Sequence, residues 1–439
     1  MKAKMPVNLL LCGLLLTGML AGCAPSGSDA GSASGNSDTP KKSNVTLSYA
    51  ASRTWVNRNS NIDDDLNKQF QEETGIQIDF QISPDDQYTN VLQTKLSTGE
   101  IPDIFMASSG LGILPLKPEK YFADLSEEEW VERYVDYAKR ITLFEDKTVG
   151  FMTWCVDGYA VLYNPEIYAK YKLEPPTDFE SFKKVSDTLL QNGITPIFEP
   201  GKELWHWGAI LGQVGPLASK AYDGNLYADL NADKVKLADI PILAAFLDDM
   251  KYSYDAGYFG ENSFSNSWDS AYEAMASGKY AGIITYESWQ TELAEKYPDI
   301  KAETWEMYPV PFADNNMYSP SASAIMRVAY KDSKNLNEVK EFFNFLARPE
   351  NLQSYYDNSP ALRPNPSFKD VMPVPTKGGE TFVARSSGGA GEDLTSSVLH
   401  WNDQISSPSI QEMLMGQMTA QEVLTSTDEY RQKMFNVTE

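Results

Sequence analysis

The sequence predicts an α/β fold made of two blocks, and three observations carry that prediction. From Val45 to Met106, strand and helix patterns alternate in the order β-α-β-α-β. A second alternation opens at Tyr159-Ala160-Val161-Leu162-Tyr163, a short apolar run that Asn164-Pro165 ends at once. No repeat of fixed period joins the two, so two α/β blocks linked by several segments fit better than one continuous sheet.

In the first block, Val45 to Ala50 is β-prone, and Arg53 and Trp55 follow its C-terminal end. Asp63 to Glu73 has Leu66 and Phe70 on one face and Gly75 as a stop, which predicts a helix. Ile76 to Ile82 alternates strictly, as a half-buried strand does. Tyr88 to Ser97 then reads as a helix and Ile101 to Met106 as a strand, with Ser108 and Ser109 in the loop that leaves it. That order implies a largely parallel sheet. Glu127 to Tyr137 is the last predicted helix before the apolar run at Tyr159.

The run itself is β-prone and nearly continuous, which suggests a strand buried on both faces. Trp154, Asp157 and Gly158 stand just before it: an aromatic plane, an acid and a flexible backbone point. Beyond it, Glu166 to Leu173 and Phe179 to Asn192 read as helices, and Ile194 to Phe198 as a strand that runs into Trp205-His206-Trp207. Helices over Ile240 to Asp255 and Ser270 to Ser277 precede a strand over Ala281 to Tyr286, with Glu287 and Trp289 at its end. Strands are expected at Trp305 to Pro311 and Ala322 to Met326, and a helix with an apolar face over Asn337 to Ala347. The tail reads as mostly helical around a Gly-rich loop, Gly378 to Gly391.

A formal charge of −24 with no local Lys/Arg cluster argues against nucleic-acid binding. At the N-terminus, Lys2 and Lys4 precede an apolar stretch from Val7 to Leu20, and Leu20-Ala21-Gly22-Cys23 closes it. This is the order of a signal peptide, and the stretch is too short to span a membrane. Its end resembles a bacterial lipobox, in which residues 1–22 are removed and Cys23 carries lipid; a plain secretory signal is the alternative. Residues 24–44 are rich in Gly, Ser and small polar groups and read as a tether, about 20 residues reaching roughly 25 Å. An acylated Cys23 leaves Cys155 as the one thiol of the mature chain, so no internal disulfide is available and Cys155 reads as apolar filler. The expectation is a body anchored to the outer face of the cell membrane.

Several short motifs, in order, resemble the extracellular solute-binding proteins that serve ABC-type sugar importers. They include Phe70-Gln-Glu-Glu-Thr-Gly75, Leu96-Ser-Thr-Gly-Glu-Ile-Pro-Asp-Ile-Phe105 and Tyr163-Asn-Pro-Glu-Ile-Tyr168. Pro175-Pro-Thr-Asp-Phe-Glu-Ser-Phe182, Ala274-Met-Ala-Ser-Gly-Lys279 and Ala329-Tyr-Lys-Asp-Ser-Lys-Asn335 continue the series. The matches run from about residue 45 to 360, while Tyr318 to Ser323 and the tail depart from the pattern. The resemblance implies a two-lobed, maltose-binding-protein type of periplasmic-binding-protein fold with a three-segment hinge. Crossings are expected near Met152–Asp157, Thr285–Trp289 and Arg348–Tyr355. The lobes would then be 45–153 plus 286–348, and 154–285 plus 349–439. It also implies a carbohydrate, expected to be an oligosaccharide, held between the lobes by a monomer and passed to an ABC permease, with no cofactor and no catalysis.

A neutral sugar offers flat C–H faces to aromatic rings and hydroxyls to carboxylates, amides and Arg. The candidates that suit it are Trp55, Trp154, Trp205, Trp207, Trp268, Tyr286, Trp289 and Trp401, with Arg53, Asp86, Ser108, Ser109, Asp157, Glu287 and Arg363 as polar partners. Core packing is the plain alternative for each tryptophan, and solvent exposure or helix capping for each loop acid. Trp205 and Trp207 are two residues apart, so a helix would present only one of them to a cleft, and the resemblance favours Trp205. Trp401 lies where the resemblance is weakest.

Other chemistries fit less well. A glycoside hydrolase needs two carboxylates flanking a bond, which sequence alone does not reveal. A histidine-based metal site has only His206 and His400 to draw on. The calcium-loop start at Asp229-Leu-Asn231-Ala-Asp233 fails at Lys234 and Ile240. Within the binding-protein class, a polyamine or another small solute is the rival ligand.

Overall fold

The computed structural model describes residues 43–53, 60–153, 158–320, 324–359, 362 and 364–437, with the side chains of 60–63, 85, 86 and 437 outside that description. Strands β1 (Thr46–Ser52), β2 (Gln77–Ser83) and β3 (Ile104–Ser108) form the first sheet with β10 (Ile325–Ala329), in the order β10-β3-β1-β2. β1 pairs in parallel with both β2 and β3, so Tyr49 faces Phe80 on one side and Ile104 on the other; β10 is antiparallel to β3. Helices Ser60–Thr74 and Asp85–Thr98 make the two crossovers, as the alternation predicted. Phe70, fully buried, lies 5.0 Å from the Phe342 ring and 5.2 Å from Phe345 of the Leu336–Leu346 helix. Burying such a ring contributes about 2–3 kcal/mol, and it ties an early helix to a late one.

A small ribbon, β4 (Leu143–Phe144) with β5 (Lys147–Thr148), precedes the second sheet. That sheet is built from β6 (Tyr159–Tyr163), β7 (Thr195–Phe198), β8 (Tyr280–Tyr286) and β9 (Glu306–Tyr308), in the order β7-β8-β6-β9. β6 is buried on both faces: Val161 and Tyr163 enter one apolar cluster, Ala160 and Leu162 another. This explains why its run is continuous rather than alternating. The next helices begin where sequence signals put them. Asn164 accepts the Glu166 N–H at 2.9 Å, and Asp178 with Ser181 forms a capping box under Phe179–Gln191.

Four expectations are corrected. The helix expected over Glu127–Tyr137 divides into a 3₁₀ turn, Glu129–Arg133, and a helix, Asp136–Ile141. Between them Tyr134 is fully buried, and its hydroxyl accepts the Met152 N–H at 2.7 Å, so a tertiary contact overrides the local pattern. The expected strand Ala322–Met326 begins instead at Ile325. Within the presumed Gly-rich loop, Lys377–Arg385 is a helix capped by the Thr376 hydroxyl. Lastly, packing divides the chain differently from the expected lobes. One apolar core draws on residues 47–152 and 324–371, whereas Trp289, Trp305, Met307 and Tyr308 pack with the second sheet. Leu352 and Tyr355 belong to the first core, so Arg348–Tyr355 lies inside it, and Thr285–Trp289 lies inside the second block.

The chain therefore passes between the two sheets between Met152 and Gly158, between Tyr318 and Ala324, and between Val371 and Gly378. The residues that flank the first two passages are paired: Phe151 bridges Arg327, and Gly158 bridges Pro320. The third ends on the capped helix at Lys377.

Candidate functional site

β7 and β8 are parallel neighbours, so their C-terminal ends open on the same edge of the second sheet. Ligand groups gather at such ends in open α/β sheets. After β7 the chain turns through Glu199-Pro200-Gly201 into the Leu204–Gly212 helix. Gly201 has no room for a side chain: a Cβ there would stand 2.5 Å from the Trp207 ring and 2.8 Å from the Ser263 carbonyl. The Trp207 indole N–H donates to the Gly201 carbonyl at 3.0 Å and the ring is fully buried, so Trp207 shapes the turn from within the core. Trp205 points the other way and remains 37% exposed.

Trp205 meets Trp268 edge-on, with ring centroids 5.0 Å apart, and Trp268 stacks on Tyr286 at 5.8 Å with 26° between the planes. These three predicted residues come from the first turn of the Leu204–Gly212 helix, the 3₁₀ turn Trp268–Ser270 and the end of β8, and they form one partly exposed aromatic platform. Its members are fixed from behind. The Trp268 backbone N–H donates to Glu203 Oε1 at 3.2 Å, and the Tyr286 hydroxyl donates to Glu292 Oε1 at 3.2 Å. Trp289, 5.8 Å from Trp268, is fully buried beneath them. Against Trp205 lies His206, fully buried with Glu199; of the two, only His206 is a candidate in the sequence, as a metal ligand.

The other predicted residues are scattered. Glu287 is buried, and its Oε1 accepts the Gly158 N–H at 3.2 Å and the Tyr318 hydroxyl at 2.9 Å, while its carbonyl accepts from the Thr376 hydroxyl at 3.5 Å. One residue of the second block thus holds the near end of each of the three passages. Ser109 is fully buried; its hydroxyl accepts the Ala324 N–H at 2.8 Å and its own N–H donates to the Ala324 carbonyl at 2.7 Å. Ser108 and Arg53 are exposed at the ends of β3 and β1. Trp401 is partly buried, and its indole donates to Asp403 Oδ1 at 2.8 Å. Burial pushes the Asp403 carboxyl from 3.8 to about 6; the Trp401 N–H opposes that rise and the negative charge of Asp393 adds to it. Trp55, Trp154, Asp157, Arg363 and Cys23 lie outside the described residues, as does the Asp86 side chain.

Sequence reading missed a cavity of about 540 Å³ beside the second passage, lined by Tyr137, Tyr318, Pro320, Asn365 and Phe368 among others. The proline spacing from Pro360 to Pro375 was the available signal, since it excludes regular structure without implying exposure.

Two curated relatives are similar over part of their length. The diacetylchitobiose-binding protein DasA of Streptomyces coelicolor is 27% identical over 238 residues, covering 51% of this chain and 52% of that protein. The melibiose/raffinose/stachyose-binding protein MelE of Bacillus subtilis is 23% identical over 279 residues, 62% of this chain and 63% of that one. The chain thus spans between half and two thirds of the length of the curated relatives it matches. Among solved structures, a sugar transporter protein of Bacillus licheniformis in complex with stachyose superposes with a TM-score of 0.69 at 20% identity, covering 88% of this chain and all of that one. The fold is the two-lobed α/β architecture of the maltose-binding-protein type. The sequence profile of bacterial extracellular solute-binding proteins matches residues 55–353, and the chain belongs to that family.

Proposed function

We propose that this protein captures a carbohydrate, an oligosaccharide by preference, between its two lobes and delivers it to an ABC permease. The observation that carries the reading is the Trp205–Trp268–Tyr286 platform, built beyond the C-terminal ends of β7 and β8. Its rings offer apolar planes for C–H faces, and a 37% exposed Trp205 holds apolar area in water until a ligand covers it. The relatives DasA and MelE are named for saccharides, which supports the same class. The lobes of this proposal are 45–152 with 324–371, and 158–320 with 378–437, hinged at the three passages that meet at Glu287. Arg53 and Ser108, exposed on the first sheet, are the polar groups assigned to the facing lobe. A monomer tethered by lipid on Cys23 to the outer face of the membrane, without catalytic activity, completes the reading.

Thermal-shift screening of the chain from residue 24 onward tests it, using raffinose, stachyose and N,N′-diacetylchitobiose beside spermidine. A ligand that binds the folded form alone raises the melting temperature, by roughly 2.7 kcal/mol of stabilisation at a hundredfold excess over Kd. A response to a saccharide and none to spermidine is expected. Spermidine as the sole responder overturns the carbohydrate assignment, and release of reducing ends from any saccharide overturns the non-catalytic one.

A further inference from the structure

His206 sits on the first turn of the Leu204–Gly212 helix with both ring nitrogens engaged. Nδ1 is 2.8 Å from Glu199 Oε1 and Nε2 is 2.9 Å from the Ile284 carbonyl. A backbone carbonyl accepts only, so Nε2 carries a proton. A carboxylate also accepts only, so one proton is shared between Nδ1 and Glu199 Oε1, and the ring is an imidazolium when that proton rests on nitrogen. Both side chains are fully buried, and Glu199 Oε2 has no hydrogen-bond partner among the described residues. The ring centroid lies 5.3 Å from that of Trp205, edge to face, and 5.7 Å from that of Trp268. Two of the three platform rings therefore rest against this one side chain.

We propose that the buried His206–Glu199 pair is a protonated positioning unit for the aromatic platform, which makes ligand capture sensitive to alkaline pH. Loss of the shared proton leaves a ring lone pair facing a carboxylate in a dry site, and the repulsion tilts His206 and the indoles resting on it. This rests on the carbohydrate reading for the identity of the ligand, but not for the protonation state.

The charges facing the pair set its direction. Burial alone lowers the affinity of the ring for a proton; Glu199, the Ile284 carbonyl and Glu203 outweigh it and hold the His206 pKa above the ordinary value. Glu203 reaches the site from the helix start, where it also holds Trp268. Glu292, bonded to the Tyr286 and Tyr272 hydroxyls, is the acid brought by the helix after β8. Asp269, next to Trp268, is exposed. On the opposite face of the His206 helix, Asp403 and Asp393 abut Gly208 and Gly212. The charges that act on the ring, Glu199 and Glu203, are both acids and favour the cation, while the nearest bases stand off it: Lys202 is exposed and Lys296 lies over the Tyr272 ring at 4.4 Å. Because the folded pKa is raised, the contribution of the pair is fully present below the unfolded value and is lost as pH rises through the folded one.

The chain has two histidines, and His400 is shifted the opposite way, downward, by burial and then by the charge of Arg431. Ring-nitrogen NMR on histidine-labelled protein therefore separates the two. The expected result is a doubly protonated His206 at pH 7 whose titration on the alkaline side is followed by the indole N–H signals of Trp205 and Trp268. Glu199→Gln, which keeps the shape and removes the charge, moves that midpoint toward acid. It also weakens raffinose or N,N′-diacetylchitobiose binding at neutral pH on the order of tenfold, the loss of one charged hydrogen bond. A neutral His206 ring at pH 7 overturns the proposal, as do indole signals that stay flat while His206 titrates. If neither saccharide binds at any pH, the carbohydrate reading fails, and the NMR arm still decides this one.

Discussion

Trp205 and Trp207 are neighbours in sequence with opposite fates, and each makes a separate prediction. Trp205→Ala removes a ring that is 37% exposed, so it should weaken saccharide binding at least tenfold, about 1.4 kcal/mol, with little change in melting temperature. Trp207→Ala opens a cavity in the core and leaves the Gly201 carbonyl with only the Gln411 amide at 2.8 Å, which should cost roughly 3–5 kcal/mol of stability in a denaturant titration. Trp289 belongs with Trp207 on this scale, although its position beside Tyr286-Glu287 suggested a ligand contact. Asp403 supplies a prediction in pH. Its folded pKa is raised to about 6, so between 3.8 and 6 the native state binds a proton that the unfolded state has released, and stability falls as pH rises across that window. Asp403→Asn, which still accepts from the Trp401 indole, should remove this slope. Thermal melts should place the variant above the wild type at pH 7 and close to it at pH 4.

At the scale of elements, what was legible in the sequence is what local periodicity encodes. The β-α-β-α-β opening, the doubly buried β6 and the capped Phe179–Gln191 helix each follow from side-chain pattern within a dozen residues. The positions of the second and third passages do not. A strand that ends in Tyr286-Glu287 has the same pattern whether the chain then changes lobe or turns back into a helix of the same lobe. The Tyr318–Pro320 passage carries no apolar run to mark it. Gly378 and Gly379 misled for a related reason, since glycine reads as flexibility when its use here is close approach. A Cβ on Gly378 would stand 2.6 Å from Gln290 Oε1, and one on Gly379 would stand 2.4 Å from Glu287 Oε2. Gly379→Ala is therefore expected to destabilise the protein by about 1–3 kcal/mol despite raising helix propensity. Gly389→Ala, where nothing lies within 4 Å, meets only the strain of a φ of +100°. A larger loss of melting temperature at Gly389 than at Gly379 would contradict this account of the helix.

At the scale of the whole molecule, one buried carboxylate of the second block holds the ends of the passages that leave it. Gly158 from the first passage and Tyr318 from the second both donate to Glu287 Oε1, and the third passage reaches its backbone through Thr376. A hinge works when a few residues absorb the rotation while the packed bodies stay rigid, and shared hydrogen bonds at the pivot fix which rotations are available. The ion pair between Arg140 and Glu392 at 3.4 Å is the contrasting case, because its side chains are 59% and 43% exposed. Exposed pairs contribute roughly 0–1 kcal/mol, so Arg140→Ala should leave both stability and lobe motion nearly unchanged. Glu287→Ala, in comparison, leaves the Gly158 N–H without a partner in a buried site, a loss of about 1–3 kcal/mol, and frees the three passages from one another. Small-angle scattering should then show a broader distribution of interatomic distances in the ligand-free variant than in the wild type, and a smaller contraction when saccharide is added. Identical scattering curves for the variant and the wild type, with and without saccharide, would mean that the pivot lies elsewhere and that Glu287 serves the core alone.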